Sequence, residues 1–350
     1  MRLQRFRSTY LEALLQLLWR QWTTLGVFGQ VRYAGPRPID PEALIISTMQ
    51  FGRYEPRLFD ASMEWWMRNG EWLSSTRLKK LQKKLSPIER RALAATVEAV
   101  ILERRPEKWK RLLTEYDSDL EPRSPVPLFL LQNGEPLPQV GAPDSTFLRF
   151  GLERPAFEMR KIAENPRLDL PGNLRIRLRA FFGVSSRAEI ALYLLTHESS
   201  HPRRVAGQTN YAFASVSSAL RQMALSGLVS QRRQGRELEY SLDRQHWQRF
   251  FELPKNVSWA NWSLVFESLH EIWECLENLK NSRAKESILG SEMRRCASKA
   301  NALLRKSEVV ATFSEDRNQD PEEYLQVLAV DMKRLFEILD AGLRGVQDWE

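Results

Sequence analysis

Apolar residues recur every three or four positions through residues 1–116, a spacing that places them on one face of successive helices. Residues 3–25 show the pattern most clearly, with Leu11, Leu18 and Trp22 on a shared face. Polar and charged side chains fill many intervening positions, as they do on the solvent side of an amphipathic helix. The pattern predicts a helical N-terminal domain over residues 1–116.

Three helix starts are marked by a capping side-chain oxygen followed directly by proline. The three motifs are Asp40-Pro41, Ser86-Pro87 and Asp320-Pro321. The oxygen accepts a hydrogen bond from a first-turn amide, and proline at the first helical position lacks a donor that the helix would leave unpaired. An acidic residue lies in the first turn after each proline, where it faces the positive end of the helix dipole. We therefore expect helices to begin at these prolines.

Residues 117–173 differ in composition, because they contain nine of the 18 prolines. Proline removes a backbone donor and fixes φ, so a long helix is excluded from this stretch. Residues 126–131 predict a short strand, and Asn133-Gly134 predicts the turn after it. We interpret the stretch as a connecting segment that packs along its neighbours.

Residues 251–350 predict a second helical domain, with a last helix from Pro321 to about residue 343. Its first helix carries six large apolar residues at alternating intervals of three and four, here called the aromatic seam. They are Trp259, Trp262, Phe266, Leu269, Trp273 and Leu276. Heptad-like spacing is typical of a helix–helix contact, within one chain or between two. Because tryptophan often anchors interfaces, we expect the seam to form a dimer interface; an internal core is the alternative.

The central stretch, residues 174–242, predicts four short helices followed by two strands. We place the first three helices at residues 174–182, at residues 187–196 and from Pro202 onward. A turn follows at residues 207–211. The fourth helix covers residues 212–225 and ends at Gly227, since glycine readily adopts the left-handed conformation that closes a helix. Strands at residues 228–232 and 237–242 flank a turn around Gly235.

The fourth helix has one apolar face and one small, polar face. Val216, Ala219, Leu220 and Met223 form the apolar face. Ser217, Ser218, Arg221 and Gln222 lie opposite. A helix of this kind can be held by its apolar face while its polar face enters a DNA major groove, which is about 12 Å wide. Cations at the tip of the following hairpin suit the DNA backbone or minor groove.

Four short motifs then carry a family resemblance: VSSAL at 216–220, LSGLV at 225–229, RRQGRE at 232–237 and YSL at 240–242. With them, about 70 residues resemble the MarR- and ArsR-type bacterial transcription regulators. The resemblance implies a winged helix-turn-helix whose fourth helix reads the major groove, whose wing touches the flank, and which is usually a dimer. The long N-terminal domain and proline-rich segment depart from that compact form, so the family's dimer geometry and ligand pockets are not carried over.

Charge is concentrated in the same region. Residues 174–250 hold twelve arginines, no lysine and five acidic residues, whereas residues 251–350 carry more acidic than basic residues. A basic segment beside an acidic one is typical of a nucleic-acid-binding module attached to another domain. We assign DNA base contacts to Ser217, Ser218, Arg221 and Gln222. We assign backbone or wing contacts to Arg203, Arg204, Arg232, Arg233 and Arg236.

One motif points to different chemistry, since His197-Glu198-Ser199-Ser200-His201 fits the H-E-x-x-H pattern of zinc peptidases. Zinc binding there requires both histidines on one face of a continuous helix. Pro202 follows at once and disfavours helical geometry at His201. Two cysteines are too few for a Cys-rich zinc site or a disulfide scaffold. We expect no metal and no cofactor.

Together these patterns predict a mainly α protein with a helical N-terminal domain, a central winged helix-turn-helix over residues 174–250 and a helical C-terminal domain. The expected function is that of a cytoplasmic homodimeric transcription regulator, a repressor, that binds double-stranded DNA without an enzymatic activity and without a membrane segment. Two alternatives remain. One is a protein-interaction component of a toxin–antitoxin or defence assembly, which has little use for three wing arginines. The other is a zinc metallohydrolase acting through His197, Glu198 and His201.

Overall fold

The computed structural model describes residues 3–104, 107–113, 124–235, 237–282, 285–315 and 323–341. This part of the chain is mainly helical, as the sequence predicts, and its strands form two small two-stranded sheets. Within those residues no helix combines the length and the apolar character that crossing a membrane requires.

Seven α-helices and one small sheet come from the described residues up to 153. The helices are α1 (Leu3–Thr24), α2 (Pro41–Phe51), α3 (Pro56–Asn69), α4 (Ser75–Leu81), α5 (Pro87–Arg104), α6 (Glu107–Leu113) and α7 (Ser145–Arg149). The strands are β1 (Val126–Pro127) and β2 (Leu152–Glu153), which run parallel. The predicted strand at 126–131 is therefore shorter than expected, whereas the turn at Asn133-Gly134 is confirmed, with φ +88° at the glycine.

Eight helices and a hairpin follow within the described residues from 174 onward. The helices are α8 (Leu174–Phe182), α9 (Ser186–Thr196), α10 (Pro202–Thr209), α11 (Phe213–Leu225), α12 (Arg244–Phe250), α13 (Trp262–Leu279), α14 (Glu286–Ser307) and α15 (Tyr324–Leu339). The hairpin pairs β3 (Ser230–Gln234) with β4 (Glu237–Ser241) in antiparallel register. The predicted elements of residues 174–242 are all present, with bounds that differ by at most two residues except at the third helix and the turn that follows it.

Two of the three predicted helix starts are confirmed. Asp40 caps α2 by accepting from the amide of Ala43 at 3.2 Å, and Pro41 is the first helical residue. At α5, Glu89 reaches back to the amide of Ser86 at 2.8 Å, which is the reciprocal bond of a capping box. The third motif, Asp320-Pro321, lies outside the described residues.

The N-terminal and C-terminal helices share one apolar core, here called the first core. It joins α1–α6 to α13–α15 and includes apolar side chains of the proline-rich segment, such as Leu128 and Phe147. Polar contacts cross it as well: the Tyr10 hydroxyl donates to the carbonyl of Leu269 at 2.6 Å. Cys275 on α13 and Cys296 on α14 form a disulfide within it, with Cα atoms 6.4 Å apart. The prediction of separate N-terminal and C-terminal domains is therefore wrong.

The prediction that the aromatic seam is a dimer interface is also wrong. Every member of the seam is at most 5% exposed in the single chain, so none is available to a second copy. Trp262, Phe266, Leu269, Trp273 and Leu276 lie in the first core, and Trp259 lies in the neighbouring core. The indole of Trp262 donates to the carbonyl of Pro38 at 2.9 Å. The seam is covered by the N-terminal helices, a partner that its periodicity could not identify.

A second core belongs to residues 174–259, here called the central unit. Apolar side chains from α8–α11 and β4 form it, among them Leu192, Leu220 and Tyr240. A third strand-like contact completes the hairpin, because Ser200 and Tyr240 exchange two backbone hydrogen bonds of 2.9 and 3.0 Å. The central unit is therefore helices packed on one side of a small antiparallel sheet.

Three arginines and three carboxylates bind the central unit to the first core, in a buried cluster that we call the ion network. Its members are Asp40, Glu42, Arg77, Arg175, Arg179 and Glu189. Arg179 is the clearest bridge, since it contacts Glu42 at 2.7 Å and Glu189 at 2.7 Å. All six side chains are at most 3% exposed, and three positive charges face three negative ones. The network fixes the orientation of the central unit on the rest of the chain.

Candidate nucleic-acid interface

The turn between α10 and α11 occupies three residues, Asn210, Tyr211 and Ala212. Asn210 has φ +61°, a left-handed conformation that asparagine tolerates better than most residues. The sequence predicted a turn at 207–211, so α10 is longer than expected and ends at Thr209. The result is two consecutive helices joined by a tight turn, with α11 as the second helix.

Three contacts hold this turn on the first core. The guanidinium of Arg77 donates to the carbonyl of Thr209 at 3.0 Å. The amide of Asn210 donates to the hydroxyl of Ser263 at 3.0 Å. The hydroxyl of Tyr211 is 3.1 Å from that of Ser74. Sequence reasoning missed these anchors, because each partner lies more than 50 residues away and carries no local signal.

Helix α11 is held by its apolar face, as predicted. Val216, Ala219, Leu220 and Met223 are buried in the second core. On the other side, Arg221 and Gln222 are exposed, and Ser217 and Ser218 are half-buried. Arg221 donates to the hydroxyl of Ser217 at 3.0 Å, and Gln222 accepts from Arg187 at the start of α9. The helix contains no acidic residue that would repel a polyanion.

The hairpin presents two exposed arginines near its tip. Arg232 lies opposite Glu239 and Arg233 lies opposite Leu238, so the two guanidinium groups start from different faces of the ribbon. Gly235 has φ +62°, which a tight hairpin turn requires and glycine adopts without strain. Arg236, the third predicted wing cation, lies outside the described residues.

The two predicted cations of α10 differ in their surroundings. Arg203 is exposed and lies over the ring of Phe213, with its guanidinium carbon 5.8 Å from the ring centroid. Arg204 instead forms an ion pair with Glu308 at 2.8 Å. Its charge is already paired within the chain, so Arg204 is less available for a DNA backbone contact than Arg203.

The H-E-x-x-H motif does not form the helical zinc site. Helix α9 ends at Thr196, and His197 is extended, with its Nδ1 2.8 Å from the carbonyl of Tyr193 and its Nε2 2.7 Å from Glu308. His201 caps the next helix, α10. The two histidines therefore lie on separate elements, and the described ranges hold no group of three or more potential metal ligands.

The interface as built joins a polar helix face, a basic hairpin and one free α10 arginine on one buried scaffold. Ser217, Ser218, Arg221 and Gln222 lie on the same exposed side of α11. Arg203 is brought to the start of that helix through Phe213. Comparison with known protein families, with curated proteins and with solved structures finds no match.

Proposed function

We propose that the central unit is a winged helix-turn-helix that binds double-stranded DNA, with α11 in the major groove and the β3–β4 hairpin as the wing. The observation that carries the proposal is the exposed side of α11, which is polar along Ser217, Ser218, Arg221 and Gln222, ends at the exposed Leu225 and has no acidic residue. The exposed cations Arg203, Arg232 and Arg233 belong to the same unit. Such a surface suits base edges inside a groove and phosphates on either side of it.

Two kinds of contact follow from the positions of these side chains. Ser217, Ser218 and Arg221 face outward along α11 and are proposed to read bases. Gln222 is held by Arg187, so the pair reaches the groove together. Arg203, Arg232 and Arg233 are proposed to contact phosphates, which position the protein without reading sequence.

We propose that the protein acts as a transcription regulator, a repressor, in the form of a homodimer. Since the aromatic seam is internal, we assign the dimer contact to an exposed apolar area of the central unit, here called the surface patch. It comprises Phe181, Phe182, Trp247 and Phe250, which pack on the buried Phe251. Phe181 and Phe250 are 55% and 56% exposed. Contiguous exposed apolar area of this kind marks interaction sites, and two copies would place two α11 helices about one DNA turn apart.

The surface patch gives the first prediction. Phe181→Asp combined with Phe250→Asp should yield a folded monomer, because both side chains are largely exposed and a charge is tolerated there only when no partner covers it. Sedimentation and circular dichroism measure the two properties. Phe28→Asp is the matched control, since Phe28 is 80% exposed on the first core and should leave the dimer intact. A double variant that stays dimeric removes the surface patch from the proposal.

The second prediction concerns salt. A protomer offers Arg203, Arg232 and Arg233 as exposed cations without an acidic partner among the described residues. If a dimer neutralises about six phosphates with these arginines, the logarithm of its association constant for DNA should fall with log [salt] at a slope of about −5. A mobility-shift titration against the DNA upstream of the protein's own coding region gives both the affinity and the slope. Absence of binding to any duplex would favour a protein-docking role for the central unit.

The third prediction separates the wing from α11. Arg232→Ala with Arg233→Ala should weaken binding to specific and to random DNA by a similar factor, because phosphate contacts carry no sequence information. Thermal stability should change little, since both side chains are exposed. Arg57→Ala with Arg160→Ala is the control: it removes the same number of exposed positive charges from the surface outside the central unit. It should leave DNA affinity nearly unchanged. Equal affinities for the wing variant and the wild type would contradict the wing assignment.

A further inference from the structure

A cavity of about 220 Å³ lies between α2, the end of α4 and α13 in the first core. Its apolar wall includes Ile46, Leu85 and Phe266. Helix α13 also lines the cavity with carboxylates, where Glu267, Glu271 and Glu274 follow each other at intervals of four and three. An apolar wall together with a row of carboxylates suits a ligand that has an apolar body and a positive charge.

An unpartnered polar group faces the same space. Gln50 lines the cavity and is only 9% exposed. Its side-chain amide makes no hydrogen bond to any residue that the structure describes. A ligand group in the cavity can therefore hydrogen-bond to this amide without first displacing a protein partner.

The charges around the cavity leave a negative excess. Lys84 and His270 also line the cavity, but Lys84 forms an ion pair with Glu267, and His270 lies 3.4 Å from Glu89. Glu271 and Glu274 have no ion-pair partner within the described part of the chain. Two carboxylates on adjacent turns of one helix repel each other, and a bound cation relieves that repulsion.

The cavity wall is continuous with the anchors of the helix-turn-helix. Ser263 lines the cavity, and its hydroxyl also accepts the hydrogen bond from Asn210 in the turn. Helix α4 contributes Leu81 to the cavity at one end, while Ser74 and Arg77 at its other end contact Tyr211 and Thr209. A ligand that displaces α4 or the start of α13 therefore displaces the turn before α11.

We propose that this cavity is an effector site for a small organic cation, an amine with an apolar body, whose binding changes the affinity of α11 for DNA. The apolar group packs on Phe266 and Ile46, the ammonium lies by Glu271 and Glu274, and Gln50 accepts or donates one hydrogen bond. The ligand site stands on the geometry of the cavity alone, whereas the effect on DNA rests on the proposed function.

Calorimetry on the full-length protein tests the site, with phenethylamine as the cationic probe and phenethyl alcohol as its neutral counterpart. Phenethylamine should bind at least ten-fold more tightly than the alcohol, because only the amine carries the charge. Glu271→Gln with Glu274→Gln should remove that preference. Glu153→Gln with Glu158→Gln, which neutralises two exposed carboxylates elsewhere, should preserve it. Gln50→Leu should weaken the binding of both probes, while thermal unfolding shows that the variant remains folded. No binding of phenethylamine, or equal binding of both probes, overturns the site.

A second measurement tests the coupling to DNA. Saturating phenethylamine should change the DNA dissociation constant by about five-fold or more, the range typical of linked sites. Asn210→Gly, which removes the hydrogen bond to Ser263 at a residue outside the cavity and keeps the left-handed backbone, should reduce that change while leaving calorimetric binding of the probe in place. Probe binding with unchanged DNA affinity overturns the coupling but not the site. A protein that binds the probe and no DNA at all overturns the proposed function instead.

Discussion

Phe266→Asp is expected to unfold the N-terminal and the C-terminal helices together. Phe266 is 3% exposed in the first core and its ring lies 5.4 Å from that of Trp262. An aspartate there is a charge buried without a partner, and such changes belong to the most destabilising class, above about 4 kcal/mol. Circular dichroism should show loss of helix far beyond the 18 residues of α13, because α1–α6 depend on the same core.

Ile288→Asp is the matched control for this variant. Ile288 lies on the neighbouring helix α14 and is 53% exposed, so the same charge should leave the fold intact. Sedimentation distinguishes the two models of the aromatic seam. A Phe266→Asp variant that is monomeric yet fully folded would restore the seam as an interface between copies.

Glu189→Gln should loosen the central unit from the first core. Its carboxylate is 0% exposed and contacts Arg175 and, at 2.7 Å, Arg179. Removing one charge leaves three arginines, Arg77 included, sharing Asp40 and Glu42. Loss of one partner from a buried ion pair costs about 3–5 kcal/mol. Glu198→Gln, an exposed change just beyond the same helix, should cost little. Chemical denaturation of both variants gives the difference in free energy of unfolding.

The sign of the pH dependence follows from the same contacts. Burial by itself raises the pKa of Glu189, but the guanidinium groups of Arg175 and Arg179 outweigh it and hold the pKa below its ordinary value of 4.5. Burial also raises the pKa of Asp40, but Arg175 and Arg77 lower it by more, so this pKa too lies below its ordinary value. The stabilisation that these ionised carboxylates contribute is therefore complete above about pH 4.5. It is lost as the pH falls through their folded-state pKa values. The difference in free energy of unfolding between wild type and Glu189→Gln should become smaller as the pH falls below about 4.5. A difference that stays constant with pH would contradict the ionic account.

Local signals in the sequence determined the elements of the central unit. The helix predicted at 174–182 is α8, and the faces assigned to α11 are the faces that the structure buries and exposes. Periodicity, capping and glycine conformation act over a few residues, so they can be recognised without knowing the partner. The same local chemistry ended α9 before His201 and so separated the two histidines of the zinc-like motif.

The tertiary structure alone decided what each apolar face and each charge meets. The spacing of the aromatic seam required a partner, but a period of three and four residues does not say whether that partner is a second copy or helices more than 200 residues away in the same chain. Arg204 looked like Arg203 in the sequence until the fold brought Glu308 to within 2.8 Å of it. Asp40 and Glu42 read as helix-start residues, and only the fold set Arg77, Arg175 and Arg179 against them. These outcomes depend on contacts between distant segments, which local pattern does not encode.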